Sequence, residues 1–300
     1  MNQTVAVFGA TGAQGAPVVR EALAKGLSVR AIARTEDRIA RMHPEAMPIA
    51  AALTDEDAIY TALDGVDAAF LHLPMPTSQD EPAAWMSSFF NAAHRANLPL
   101  LVFTTSGPAG ERYPSSFAID GATAARDAVL SSGIPSIVLQ PAIYLENLLV
   151  DLFVPALRSS GQLDYPPLPA DHTVAWISHK DQAAIAVAAM VRPGLAGQFF
   201  EIASPTPATS SDLAKLLERW LDRRVDFKPA DPKEFAGRVG EALNNPGVAF
   251  ALGDIYSALA QMNPDGMVVD TALLQRTFGV ELTPLATHIE NWKTETALSV

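Results

Sequence analysis

The chain has no cysteine, no long apolar run and no run of basic residues, and each absence removes a class of function. Without Cys there is no disulfide, no thiolate zinc site and no cysteine nucleophile. A reducing cytosol is compatible with that, and a cytoplasmic location is the expectation. No apolar run approaches the roughly 18 residues of a membrane span, so no membrane partner is expected. The start, "MNQTVAVFGATG", lacks a basic leader region and enters a strand at once, so it does not read as a signal peptide. Lys and Arg number 21 against 33 Asp and Glu, a net charge of −12. An acidic surface without basic runs repels phosphate backbones, so no nucleic-acid partner is expected.

What is there is ordinary globular material. The 300 residues are 49% hydrophobic and 18% charged, ample for a core and long enough for one large domain or two small ones. Strand and helix alternate through the first half. "TVAVF", "LSVRAIA", "MPIAA", "DAAFLHL", "PLLVFTT" and "PSIVLQP" read as six strands. Their apolar runs without alternation suit parallel strands covered on both faces. Helices are expected between them. One is "TDEDAIYTALDG", with Thr54 as N-cap and Gly65 just past the end. The pattern predicts an α/β fold, a doubly wound parallel Rossmann sheet over residues 1–150.

The rhythm changes near residue 145. "LENLLVDLFVPALRSSG" reads as one apolar helix, and "LDYPPLPADHTVAWIS" as an extended, Pro-rich stretch. "KDQAAIAVAAMV" returns to helix, "GQFFEIA" to strand, and "SSDLAKLLERWLDRR" to an amphipathic helix. Residues 151–300 are expected to form a smaller, mixed substrate-binding part, with about 176–203 packing back on the Rossmann domain.

The stretch most charged with chemistry is "VAVFGATGAQGAPVVREALAKG", where Gly9, Gly12 and Gly15 recur every three residues between a strand and a helix. A dinucleotide loop needs glycine for the tight turn, for close approach of backbone to pyrophosphate, and for helix–strand packing. The helix N-terminus then offers free N–H groups to the phosphates. The spacing departs from G-x-G-x-x-G, and an ordinary glycine-rich turn is the alternative. The second strand ends in Arg34, where an NAD site usually carries Asp or Glu. A guanidinium matches a 2′-phosphate, which favours NADP(H); a solvated surface Arg is the alternative, with Glu36 and Asp37 close by.

"FGATGAQG", "RAIAR", "SSGIPSIVLQPAIYLENLL" and "WISHKDQAAIAVAAM" together resemble the NmrA-like branch of the atypical short-chain dehydrogenase/reductases. The later "RRVDFKPADPKEF" and "LLQRTFGVELTPLATHIENW" are similar to the ends of its triphenylmethane-reductase and NAD(P)H:quinone-reductase members. The resemblance implies a Rossmann domain, NADP(H) as cofactor and a small substrate domain. It puts Gly9, Thr11, Gly12, Gln14 and Gly15 on the phosphate loop and Arg34 on the 2′-phosphate. Leu73 and Pro74 fall beside ribose and pyrophosphate, and Thr104 to Ser106 near the nicotinamide. Pro141, Ala142, Ile143 and Tyr144 border the nicotinamide face, with Asn147 shortly after. Ala52 and Gln140 depart from the family pattern. So does the lack of any Tyr-x-x-x-Lys pair, and Ala122 stands where several relatives carry Lys or His.

Other candidates are weaker. Of His43, His72, His94, His172, His179 and His288, no two share a helix at ligand spacing, so no metal is expected. Tyr144 and Tyr113 are the only candidates for a catalytic acid. Tyr144, Asn147 and Trp176 are candidate substrate contacts, and Tyr165 and Phe199 add to an apolar, aromatic second half. Two functions remain. One is an NADPH-dependent reductase that transfers a hydride to a quinone, dye or similar conjugated acceptor, a small apolar aromatic or quinone-like substrate. The other is a non-catalytic NADP(H) sensor acting through a protein partner. The reductase is favoured; a monomer or homodimer is expected.

Overall fold

The structure, a computed structural model, describes residues 3–76, 78 and 80–297; for 293–297 the backbone alone is described. The chain runs β1 (Thr4–Phe8), α1 (Gly15–Ala24), β2 (Ser28–Ala33), α2 (Glu36–Met42), β3 (Met47–Ala50), α3 (Glu56–Leu63) and β4 (Ala68–His72). Then come α4 (Glu81–Arg95), β5 (Leu101–Thr104), α5 (Phe117–Ser131) and β6 (Ser136–Pro141). The order in the sheet is β10-β6-β5-β4-β1-β2-β3, all parallel, with β10 (Phe199–Ile202) joining from the second half. The sheet is therefore the expected parallel Rossmann sheet with one strand more than the six expected from the first half. The direction of winding reverses between β1 and β4, the switch point at which such sheets bind ligands.

The strands are apolar because helices cover both faces. On one face α1 and α7 (His179–Met190) close over Val5, Val7, Phe70 and Leu139. On the other, α3, α4 and α5 cover Phe8, Leu71 and Phe103. Phe89 of α4 is fully buried, its ring edge-on to Phe8 at 5.3 Å. Truncating such a residue to Ala costs about 3–5 kcal/mol.

Two local expectations are corrected. Asp55, not Thr54, caps α3: its side chain accepts the Ala58 N–H at 3.0 Å, and Thr54 lies one residue too early. The short helix α2, between β2 and β3, buries Ile39 alone. The apolar stretch after β6 is not one helix. It forms a two-residue strand β7 (Ile143–Tyr144), a 3₁₀ turn (Leu145–Leu149) and a short α6 (Leu157–Ser160). Pro155 falls between the two helical pieces, and the residue before a proline is biased away from helix.

After α6 come β8 (Gln162–Leu163) and β9 (Trp176–Ile177), then α7, β10, α8 (Ser210–Leu221) and β11 (Asp226–Phe227). Helices α9 (Pro232–Ala242), α10 (Pro246–Leu259), α11 (Thr271–Phe278) and α12 (Leu285–Ala297) complete the chain. A second core gathers here around Tyr165, Trp176, Phe235 and Tyr256. Their rings pack at 5.4–6.2 Å. Among the described residues, no helix is long and apolar enough to cross a membrane.

Candidate active site

The glycine loop leaves β1 at the switch point, and its three glycines do three different things. Gly9 has φ +69°, and a Cβ there would meet His72 Nε2 at 2.2 Å. Gly12 donates its N–H to Gly9 O at 2.9 Å and closes the turn. A Cβ on Gly12 would meet only Gly9 O, at 3.3 Å, and the residue is exposed. Gly15 is buried at the start of α1, and a Cβ there would lie 2.3 Å from Gly9 O. The loop is thus packed beneath and open above, a cradle that fits a group approaching the first turn of α1. The first N–H groups of a helix have no partner within it.

Two side chains hold this loop from below. His43, 2% exposed, bonds Ala10 O through Nε2 at 2.8 Å. Burial lowers its pKa, which keeps the ring neutral. His72, at the end of β4, packs against Gly9, and burial lowers its pKa as well. Arg34 is exposed just past the end of β2, and Arg38 reaches the loop at Thr11 O over 3.4 Å. Leu73 and Pro74 follow β4 at the same edge of the sheet.

The neighbouring wall comes from the ends of β5 and β6 and from α7. Gln14 Nε2 donates to Ser106 Oγ at 3.1 Å. Ser106 adopts φ +59°, a left-handed conformation uncommon outside glycine. Pro141, the last residue of β6, is buried, and the chain passes from it through β7 to Tyr144. Tyr144 Oη lies 2.7 Å from Gln182 Oε1 and 2.9 Å from Gln14 Oε1. One hydroxyl proton cannot serve both oxygens; Gln14 Oε1 also accepts from Gln182 Nε2 at 3.2 Å. Burial holds the Tyr144 pKa well above the ordinary tyrosine range.

Beside Tyr144 lie two groups that the sequence pattern does not place in the site. The His179 ring packs on the Tyr144 ring, centroids 4.6 Å apart. Glu146 Oε2 sits 3.4 Å from His179 Nδ1, and Glu146 Oε1 accepts the His179 backbone N–H at 2.9 Å. Burial pushes the Glu146 carboxyl up to about 7 and His179 down to about 4.

The remaining candidates go elsewhere. Tyr113 is buried near Glu201 and Arg112, on the β10 side of the sheet, and burial raises its pKa too. Asn147 donates to Tyr165 Oη at 2.8 Å, and Tyr165 in turn bonds Tyr256 at 2.6 Å. Trp176 is 1% exposed, its backbone paired with Ile143 and its ring against Tyr165, so it fills the second core. Phe199 lies on the outermost strand under Arg126. The aromatic second half is therefore core rather than pocket at Tyr165 and Trp176. A groove of about 370 Å³ beside β10 shares none of the glycine-loop residues. Among the described residues, no cluster of His, Asp or Glu could hold a metal.

A parallel sheet whose glycine loop opens a helix at the switch point defines a dinucleotide-binding Rossmann protein. The chain belongs to the NmrA-like family, whose model matches residues 1–292. It is 30% identical over 225 residues to the (4-alkanoyl-5-oxo-2,5-dihydrofuran-3-yl)methyl phosphate reductase of Streptomyces griseus, covering 75% of this chain and 76% of the relative. It is 26% identical to the NAD(P)H azoreductase of Xenophilus azovorans, over 87% of each chain. The NADPH complex of an NADPH-dependent quinone oxidoreductase from Escherichia coli shares the fold at a TM-score of 0.76 and 23% identity. That match covers 96% of this chain and 99% of the other.

Proposed function

We propose that this protein transfers hydride from NADPH to a flat, conjugated acceptor such as a quinone or a dye. The oxidoreductase class rests on relatives named for reductase activity, one of them for NAD(P)H. The observation that carries the cofactor is the loop itself: packed shut beneath Gly9 and Gly15, open above Gly12. In this reading Thr11, Gly12 and Gln14 hold the pyrophosphate, Leu73 and Pro74 flank the ribose, and Ser106, Pro141 and Tyr144 border the nicotinamide. Arg34, exposed at the end of β2, meets the 2′-phosphate.

The bound cofactor supplies a hydride; the chain orients it and excludes water. No Tyr-x-x-x-Lys pair is present, and Tyr144 keeps its proton at any working pH because burial raises its pKa. Tyr144 then acts as a wall. A quinone tolerates this, because hydride arriving there gives a delocalised anion that solvent protonates afterwards. Proximity suffices for such a step, with reacting atoms about 3–3.5 Å apart.

The test has two arms. Calorimetry should show NADPH bound more tightly than NADH, by about ten- to a hundredfold for one charge-assisted contact worth roughly 1.5–3 kcal/mol. Arg34→Ala should remove most of that preference. NADPH oxidation at 340 nm should proceed with quinones or dyes. Equal affinity for the two cofactors refutes the Arg34 assignment. Tight NADPH binding without turnover of any acceptor assigns the chain to the sensors, a reading that Ala122 favours.

A further inference from the structure

Glu146 and His179 have no evident reason to be polar if the site serves quinones alone. A half-buried imidazole packs against the ring of Tyr144 with a half-buried carboxyl beside it, and the carboxyl has one oxygen, Oε2, buried without a hydrogen bond. The other oxygen caps the first turn of α7 through the His179 N–H. A cap needs only one acceptor, and Ser178 already caps the same helix by accepting the Asp181 N–H at 2.9 Å. The free oxygen faces His179 Nδ1 at 3.4 Å.

We propose that Glu146 and His179 form a proton-delivery pair for acceptors that must be protonated as the hydride arrives, such as an azo bond. The proposal rests on the reductase reading. In the step, the N=N π bond breaks. One nitrogen takes hydride from the reduced nicotinamide, which is oxidised. The other takes the proton of His179 Nε2, and the azo compound is reduced to a hydrazine. His179 Nδ1 takes the proton held by Glu146, so the imidazole stays neutral throughout. Between turnovers His179 Nδ1 returns its proton to the Glu146 carboxylate and Nε2 takes one from solvent, which restores the starting tautomer and the filled store. His179 is the catalytic residue and Glu146 the positioning residue and proton store.

The electrostatics suit these roles. His179 is held neutral because burial lowers its pKa to about 4, with His72 of β4 adding repulsion. Glu146 is raised to about 7 by burial. Asp181 of α7 pushes it further up, while His288 of α12 and the His179 N–H pull it down. The store is thus filled below neutral pH and empties above it.

The experiment compares the full-length protein with Glu146→Gln, which keeps a cap acceptor, and His179→Phe, which keeps a ring against Tyr144. Each is assayed from pH 5 to 9 with NADPH and either an azo dye or a benzoquinone. Azo turnover by the parent should fall as pH rises through about 7. Either substitution should lower it on the order of 100-fold at pH 6 and flatten that limb. Quinone turnover should fall by a smaller factor than azo turnover and keep the parent's pH profile, because no proton is delivered with the hydride. A second readout needs no turnover: the cofactor-free protein should show an infrared carboxylic-acid band titrating near pH 7, absent from Glu146→Gln. Azo rates and pH profile unchanged in Glu146→Gln overturn the pair while the reductase reading stands. The absence of the band overturns Glu146 as the store. No turnover of either acceptor by the parent overturns the reductase reading itself, and the pair with it.

Discussion

The glycine loop and the wall beside it are built by opposite means. The loop is continuous in sequence and works by what its residues lack: a Cβ on Gly9 or Gly15 would strike its neighbours at 2.2 and 2.3 Å. The wall works by side chains drawn from far apart. Glu146 reaches His179 across 33 residues, and Tyr144 reaches Gln14 across 130. The loop's tolerance should therefore be decided by single carbon atoms. The wall's should be decided by charge and hydrogen bonding.

The largest effect is expected where the wall is anchored. Asp181 of α7 is 2% exposed and accepts from Ser204 Oγ at 2.6 Å and from the Thr283 N–H at 3.2 Å, with His288 Nε2 at 3.1 Å. Asp181→Ala strands these partners. Breaking a buried charged network by removing one member costs about 3–5 kcal/mol, to be read by thermal or urea denaturation. Below its new midpoint the variant should still bind NADPH, since the loop is untouched. Lost binding in the folded variant would merge the two regions into one.

Next comes the loop. Gly15→Ala forces backbone apart and should cost about 1–3 kcal/mol, as overpacking does, and take NADPH affinity below the reach of calorimetry. Gly107→Ala is the control, since a Cβ there has no neighbour within 4 Å. It should fall within about 0.5 kcal/mol of the parent. Equal effects at the two glycines would show that space is not what the loop requires.

The wall's titration comes third. The folded pKa of Glu146 lies near 7 against an ordinary value of 4.5. Between those values the folded protein holds a proton the unfolded chain has released. The penalty for burying this carboxyl is thus absent below about pH 4.5, grows as pH rises to about 7 and stays constant above. Each tenfold difference in proton affinity between the folded and unfolded chain corresponds to about 1.4 kcal/mol. Glu146→Gln should raise Tm relative to the parent at pH 8, and much less at pH 5. A gain independent of pH would show that the carboxyl is not desolvated. The smallest effect belongs to Tyr144→Phe. Loss of one hydrogen bond should cost about 0.5–1.5 kcal/mol in stability and leave quinone turnover nearly unchanged.

The same contrast separates what is legible in the sequence from what is not. The strands are legible because parallel strands covered on both faces are apolar throughout, and the loop because its spacing is local. Arg34 is proposed from its place at a strand end, where the structure leaves it exposed. Four side chains of the site carry no such signal: His43, Glu146, His179 and Gln182. In the sequence His43 and His179 stand out only as possible metal ligands, and a histidine bonded to Ala10 O leaves no periodic mark. Glu146 and Gln182 look like surface residues on helices until the fold brings them beside Tyr144 and Gln14. The cap of α3 slips by one residue because Thr54 and Asp55 are both good caps, and only backbone geometry separates them. The stretch after β6 misleads because its apolar residues feed the second core from a broken chain rather than along one helical face.

The central step of the proposal is hydride transfer from NADPH to an acceptor held against Tyr144. A single-turnover experiment tests that most directly: protein saturated with NADPH is mixed with excess benzoquinone and absorbance at 340 nm is followed without steady-state recycling. The expected result is loss of one equivalent of NADPH absorbance matched by one equivalent of hydroquinone, slowed when the nicotinamide C4 hydrogen transferred is replaced by deuterium. Undiminished absorbance, with NADPH tightly bound and every acceptor tried, would contradict it.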